Sequence, residues 1–326
     1  MSTGRRPAGG QRGRDVVGAG SRLAEPIAPV ALEGGKAGAA RLSIVSNTAL
    51  ILMKLVAGAV TGSIAIITEA VHSSIDLLAS IVAYFSVRKA DEPADEEHLY
   101  GHAKAENLAA ALEGALILVG ACVIVFEAVR RLVNGSDEVA HIGFGIVVIG
   151  VSTAVNIAVS TYLYRQAAIH DSPALEGDAA HLRADALTSV AVIVGLVLIQ
   201  VTGIEDLDSI VALAVAGAIV YAGIRIVSRS SRMLMDETIP AEELDIVKEV
   251  IQSYCGEELA GYHKLRARRA GSARYIDVHL QFRPGTSLEG AHAMAHSLQA
   301  AIQERLRNAD VLVHIEPARE EDLRPG

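Results

Sequence analysis

Tryptophan is missing from this 326-residue chain, phenylalanine occurs four times and cysteine twice. The two cysteines, Cys122 in an apolar run and Cys255 in a polar one, cannot build a disulfide framework. No Gly-rich loop of the phosphate-cradling kind occurs, so nothing points to nucleotide-driven chemistry. The first 40 residues contain no continuous apolar core of the signal-peptide type. They are rich in Gly, Ala and Arg and read as a disordered basic tail. A net charge of -9 gives no support to a nucleic-acid partner, and none is expected.

What the chain has in excess is apolar character. Hydrophobic residues make up 51% of it and the mean hydropathy is +0.35, too apolar for an ordinary soluble protein. The excess is segregated into six stretches, at 43 to 62, 64 to 87, 107 to 129, 142 to 163, 178 to 201 and 208 to 228. Each is near the ~20 residues that a helix needs to cross a hydrocarbon core of ~30 Å. After Asp236 the composition becomes mixed and charged. The expected organisation is a basic tail at 1 to 41, a six-helix transmembrane domain at 42 to 235, a cytoplasmic domain at 236 to 318 and a short tail at 319 to 326.

Positive charge sets the orientation. Arg5, Arg6, Arg12, Arg14, Arg22, Lys36 and Arg41 precede the first span, and Arg88, Lys89 and Lys104 lie between the second and third. These segments are expected on the cytoplasmic side. The opposite side holds the turn at Thr61 and Gly62, the segment NGSDEVAH and the acidic TGIEDLD, with Arg130 and Arg131 breaking the pattern. An even number of spans puts both termini inside, which gives a multi-pass protein of the cell membrane in contact with lipid.

Against that apolar background, EAVHSSID in the second span stands out. Glu69, His72 and Asp76 are three and four residues apart, so they share one stripe of a helix. An ionisable group at the bilayer centre costs ~2.5 to 3.5 kcal/mol on insertion scales, so such a stripe is expected to face a partner or a water-filled cavity. The fifth span opens on HLRAD, where His181 and Asp185 repeat the His-x-x-x-Asp spacing. Two such pairs supply two nitrogens and two oxygens, a set suited to tetrahedral Zn(II). A lone polar residue of this kind is often an interhelical hydrogen bond; two copies of one metal-binding spacing are not explained that way.

HSSID, HLRAD, the loop ADEEHLYGHAKAE and MLMDETIP ahead of a histidine-bearing terminal domain together resemble the cation diffusion facilitator family of divalent-metal/proton antiporters. The resemblance runs from about Ser43 to Pro317. It implies a homodimer with six membrane helices per protomer and a metallochaperone-like cytoplasmic domain. It places His72, Asp76, His181 and Asp185 on the transport site, with His at the first position resembling the zinc-selective members. It places a second metal site on Asp95, His98 and His102, for which an ordinary solvated loop is the bland alternative. Lys104 and Asp236 match an ion pair between protomers. Divalent metal, with zinc favoured over Fe, Cd, Co or Mn, is then both substrate and regulatory ligand; no other cofactor and no enzymatic activity is expected.

The ligands themselves suggest a mechanism. Metal needs neutral imidazole and ionised carboxylate, so binding to a protonated site releases protons and protonation helps to expel metal. With an ordinary pKa of ~6.5, histidine is suited to that exchange. A bundle that rocks about one site between inward-open and outward-open states then antiports the two without ATP. Glu69, one turn from His72, is either a carboxylate behind the ligand, a step on a proton path, or a packing residue.

The terminal segment reads as a small α+β domain of order αββαβ, ferredoxin-like. AEELDIVKEVIQSY and SLEGAHAMAHSLQAAIQERL have helical spacing, while GYHKLRARRAG, ARYIDVHLQFRPG and DVLVHIEP alternate as strands do. Alternation puts Ile276, Val278, Leu280 and Phe282 on one face and Asp277 and His279 on the other, and sends His314 and Glu316 away from Val311, Val313 and Ile315. With His263 and His292 these form a family-like regulatory cluster, in which Glu316 stands where the family has a shorter Asp. His296, one turn from His292, either joins it or is solvated. An intramembrane metalloprotease is a poor alternative, because no HExxH occurs. A non-transporting metal sensor would keep the terminal cluster but has no use for two His-x-x-x-Asp pairs in lipid.

Overall fold

The computed structural model describes residues 35–61, 64–134, 142–204 and 206–319. Six long helices come first: α1 (Gly35–Thr61), α2 (Ile64–Ala90), α3 (Lys104–Asn134), α4 (Ile142–His170), α5 (Pro173–Thr202) and α6 (Asp206–Leu234). All six are long and apolar enough to cross a membrane. Their outward surface carries Val56, Leu78, Phe85, Val123, Phe126 and Tyr221, all exposed. Apolar side chains turned outward in such numbers are what a lipid-facing surface requires and a water-facing one avoids.

Small residues let the helices approach. A Cβ added at Gly114 of α3 would lie 2.8 Å from Val227 Cγ2, and one at Gly223 of α6 would lie 2.9 Å from Leu118 Cδ2, so these two glycines hold α3 and α6 at contact distance. That is the packing expected where lipid supplies no hydrophobic drive between helices. The α4 to α5 corner is built by Asp171, in the left-handed region at φ 53°, and by Ser172, whose Oγ caps the amide of Leu175 ahead of Pro173.

The chain start departs from expectation. α1 begins at Gly35, inside the segment read as a disordered tail, because Ala39 and Ala40 are fully buried and Lys36 Nζ donates to Asp91 Oδ1 at 3.2 Å and Glu106 Oε1 at 3.0 Å. Residues 1–34 of that tail, most of the NGSDEVAH segment and the final residues from 320 lie outside the described residues.

The terminal domain follows the expected order, α7 (Ala241–Tyr254), β1 (Leu259–Ala270), β2 (Ala273–Phe282), α8 (Leu288–Arg305) and β3 (Ala309–Pro317). The sheet order is β1-β2-β3, with β1 and β2 antiparallel and β2 and β3 parallel. Ile276, Val278, Leu280 and Phe282 point into a core with Ile251, Leu259, Leu298 and Ile302. The opposite sheet face is thereby left for polar residues.

The β1 to β2 turn plugs into the end of the helix bundle. The Gly271 amide donates to Asn107 Oδ1 at 2.6 Å, and Asp171 accepts from Arg269 at 3.1 Å and Arg274 at 3.2 Å. Gly271 has φ +55°, and a Cβ there would lie 2.4 Å from the Ala103 carbonyl oxygen. Both the backbone conformation and the close approach therefore require glycine.

Candidate metal centre

The stripe on α2 meets the first turns of α5. Among the described residues, one donor atom each from His72, Asp76 and Asp185 lie within 4.8 Å of one another. His181 joins them: its Nε2 is 3.1 Å from Asp76 Oδ1 and 4.0 Å from Asp185 Oδ2. All four residues singled out from the two His-x-x-x-Asp pairs are thus brought to one place. Asp76 and His181 are buried. Asp185 is half-buried and His72 exposed.

Three further groups at this centre escaped the sequence reading. Lys54 of α1 is buried, and its Nζ donates to Glu69 Oε1 at 3.0 Å and Ser73 Oγ at 2.7 Å. Glu69 therefore pairs with Lys54 at one end of the stripe. Asp178 of α5 is fully buried; its Oδ1 accepts from Ser80 Oγ at 3.0 Å, and Ser80 also accepts from Asn47 Nδ2 at 2.8 Å. Glu113 of α3 is buried, with its Oε2 3.8 Å from His181 Nδ1. The signal that marks them is the one used for Glu69: a charge inside an apolar run.

The loop after α2 also converges. Donor atoms of Asp95, His98 and His102 lie within 4.8 Å of one another. Asp95 Oδ1 accepts the backbone amides of His98 at 2.6 Å and Glu97 at 3.0 Å. Its Oδ2 lies 3.2 Å from His102 Nε2. The His98 amide is the main reason the Asp95 carboxyl sits below the usual carboxylate range.

In the terminal domain three histidines form a row across the sheet: His263 is paired in register with His279, and His279 with His314. Their rings are 5.3 Å and 4.5 Å apart. Glu316 reaches across the row, 2.6 Å from His263 Nε2 and 3.1 Å from His279 Nδ1. Its extra methylene does not prevent contact. His314 is more peripheral, with Nε2 3.9 Å from the Glu316 carboxylate. His292 is not brought into this group. It faces outward from α8 and its Nε2 lies 3.1 Å from that of His296, because α8 packs on the other side of the sheet.

Lys104 and Asp236, read above as an ion pair between protomers, are also close to each other within one protomer. They meet inside one chain, with Nζ 2.9 Å from Oδ1, because the start of α3 and the residue after α6 emerge side by side. Arg268 of β1 holds the same oxygen at 2.9 Å.

Residues 40–235 match the family model described as cation efflux transmembrane domain, and residues 239–318 match the one described as cation efflux protein, cytoplasmic domain. The chain belongs to the cation diffusion facilitator family. Relatives of this facilitator include the uncharacterized transporter sll1263 of Synechocystis, 34% identical over 85% of this chain and 88% of that one. The cation-efflux pump FieF of Serratia proteamaculans is 32% identical over 82% and 88%, and FieF of Yersinia pestis 31% over 82% and 88%. At family level the facilitator is a multi-pass membrane transporter for efflux of divalent metal cations. Its terminal domain belongs to the family's cytoplasmic domain.

Proposed function

We propose that this chain exports Zn(II) from the cytoplasm in exchange for protons, as a homodimer in the cell membrane with both termini inside. The observation that carries the reading is the convergence of His72, Asp76 and Asp185 within 4.8 Å with His181 Nε2 3.1 Å from Asp76. Two imidazoles and two carboxylates match tetrahedral zinc in number and donor type. Two ionised carboxylates balance one divalent cation, and they balance two imidazolium charges equally well. Metal and protons are therefore alternative ways of neutralising one buried site, which is the condition for exchange.

His72 is the residue that favours zinc over Mn(II) or Fe(II), because nitrogen suits the borderline cation and a second row of oxygens would suit harder ones. The row of His263 and His279 with Glu316 has the donor types of a cytoplasmic metal sensor, and supports regulation of the same transport. The test is uptake into sealed proteoliposomes carrying an internal metal dye, with Zn(II), Mn(II), Fe(II), Cd(II) and Co(II) in competition. Zinc should enter fastest and be displaced least. Equal uptake of manganese would remove the zinc assignment, and no uptake of any metal would remove transport.

A further inference from the structure

The ring of His181 has two ends, and the proposed transport site uses one. A neutral imidazole that gives the Nε2 lone pair to a metal carries its hydrogen on Nδ1. That hydrogen points away from Asp76 and Asp185 into the protein, where water is not available to accept it. A metal-bound histidine ordinarily donates this second N–H to a carboxylate or carbonyl, which fixes both tautomer and ring orientation.

The group at that end of the ring is Glu113. Its Oε2 is 3.8 Å from Nδ1, and its side chain is 1% exposed. Nδ1 of His181 and both carboxylate oxygens of Glu113 are buried without a hydrogen-bond partner. An unpartnered buried oxygen is costly, so a pair of them beside an unpartnered ring nitrogen calls for an explanation other than packing. A second observation bears on the same contact. Gly177 lies one turn before His181 on α5, and a Cβ there would sit 3.1 Å from Glu113 Cβ and 3.2 Å from its Cγ. The absence of a side chain at 177 is what lets the stem of Glu113 run against α5 toward the ring.

Resting on the transport-site reading above, we propose that Glu113 is a positioning residue for His181. Its carboxylate accepts the Nδ1 hydrogen when metal is bound and so holds Nε2 toward Asp76, Asp185 and the cation. Glu113 does not itself touch the metal. The ring contact is 3.8 Å, within the reach that a change of χ in the long Glu side chain closes to hydrogen-bond length.

The test is zinc uptake by full-length wild type, Glu113→Gln and Glu113→Leu in proteoliposomes, with thermal unfolding of each purified protein alongside. The Gln amide oxygen still accepts the Nδ1 hydrogen, so its KM should stay within about threefold of wild type, against the about 10- to 100-fold rise expected for Leu, which accepts nothing. The Leu variant should melt no lower than wild type, since a buried polar group has been replaced by an apolar one of similar volume. A wild-type KM in Glu113→Leu overturns the proposal, as does an equal loss in the Gln and Leu variants. Absence of zinc uptake by wild type would count against the transport reading itself and is thereby told apart.

Discussion

His181 Nε2 and Asp76 Oδ1, 105 residues apart in sequence, lie 3.1 Å apart in the middle of the helix bundle. The pair joins α5 to α2 across the site through which a cation is proposed to pass. Since the same nitrogen lies 4.0 Å from Asp185, a cation that enters replaces a direct bond between the helices with bonds through itself. On the transport reading, occupancy and helix position are linked by this geometry, as a site shared by two conformations needs.

On the transport-site reading proposed above, His72 is the residue that sets metal preference. Converting it to Asp exchanges a nitrogen for a harder oxygen and adds a negative charge, so His72→Asp should lower the preference for zinc over manganese by about tenfold, ~1.4 kcal/mol in relative affinity. Competition uptake in vesicles measures this. An unchanged ranking would mean that His72 does not contact the cation.

The cytoplasmic row should bind zinc on its own account. With zinc at 100 times its dissociation constant, a site present in the folded form alone adds ~2.7 kcal/mol of stability. The full-length protein carrying Asp185→Ala should still gain melting temperature with zinc, and should lose that gain when His263 and His279 are replaced together. Persistence of the shift in the triple variant would place the binding elsewhere, for which Asp95, His98 and His102 are the next candidates.

The junction has a pH signature. Hydrogen bonds from Lys104 first, and from Arg268, hold the Asp236 carboxyl below the usual carboxylate range. A depressed folded-state pKa contributes stability that is complete above the unfolded value of ~3.9 and is lost as pH falls through the folded value. Melting of wild type should therefore decline more steeply than that of Asp236→Asn below about pH 4, and the two should run parallel above about pH 5. The pair is half exposed, so the difference should stay below ~1 kcal/mol. Parallel curves throughout would show that the pair does not join the domains in solution.

Gly271 tests the docking of the β1 to β2 turn. Gly271→Ala places a methyl 2.4 Å from the Ala103 carbonyl in a left-handed conformation that alone costs ~1 to 2 kcal/mol. The variant should release the turn, raise amide exchange in 270 to 273, and leave the bundle intact. Unchanged exchange there would mean that the turn is not anchored.

The sequence made the spans legible as apolar runs of membrane-crossing length, and the αββαβ order legible as a periodicity, 3.6 in the helices and 2 in the strands. The convergence of His72, Asp76, His181 and Asp185 was legible because His-x-x-x-Asp occurs twice. Other features depend on relations that no local pattern encodes. The His263, His279 and His314 row depends on strand register, set partly by the irregularity between His263 and Arg266, where Lys264 has φ 49°. Glu113 and Asp178 were passed over because each is a single carboxylate with no repeated partner. The start of α1 at Gly35 was hidden because small alanines, rather than an apolar run, fill its first turns. The nearness of Lys104 and Asp236 within one chain depends on where α3 and α6 end.

The most direct test is a paired measurement of zinc and proton movement in proteoliposomes, with a zinc dye inside and a pH dye on the same side, for wild type and Asp185→Ala. Wild type should move zinc one way and protons the other, with both fluxes rising together as the inward zinc or outward proton gradient across the vesicle is steepened. Asp185→Ala should fold, yet lose both fluxes together by at least about 100-fold, since removal of a ligand exceeds the about 10- to 100-fold effect of losing a group behind one. Near-normal zinc flux in Asp185→Ala, or wild-type zinc flux with no proton movement against it, would contradict the account.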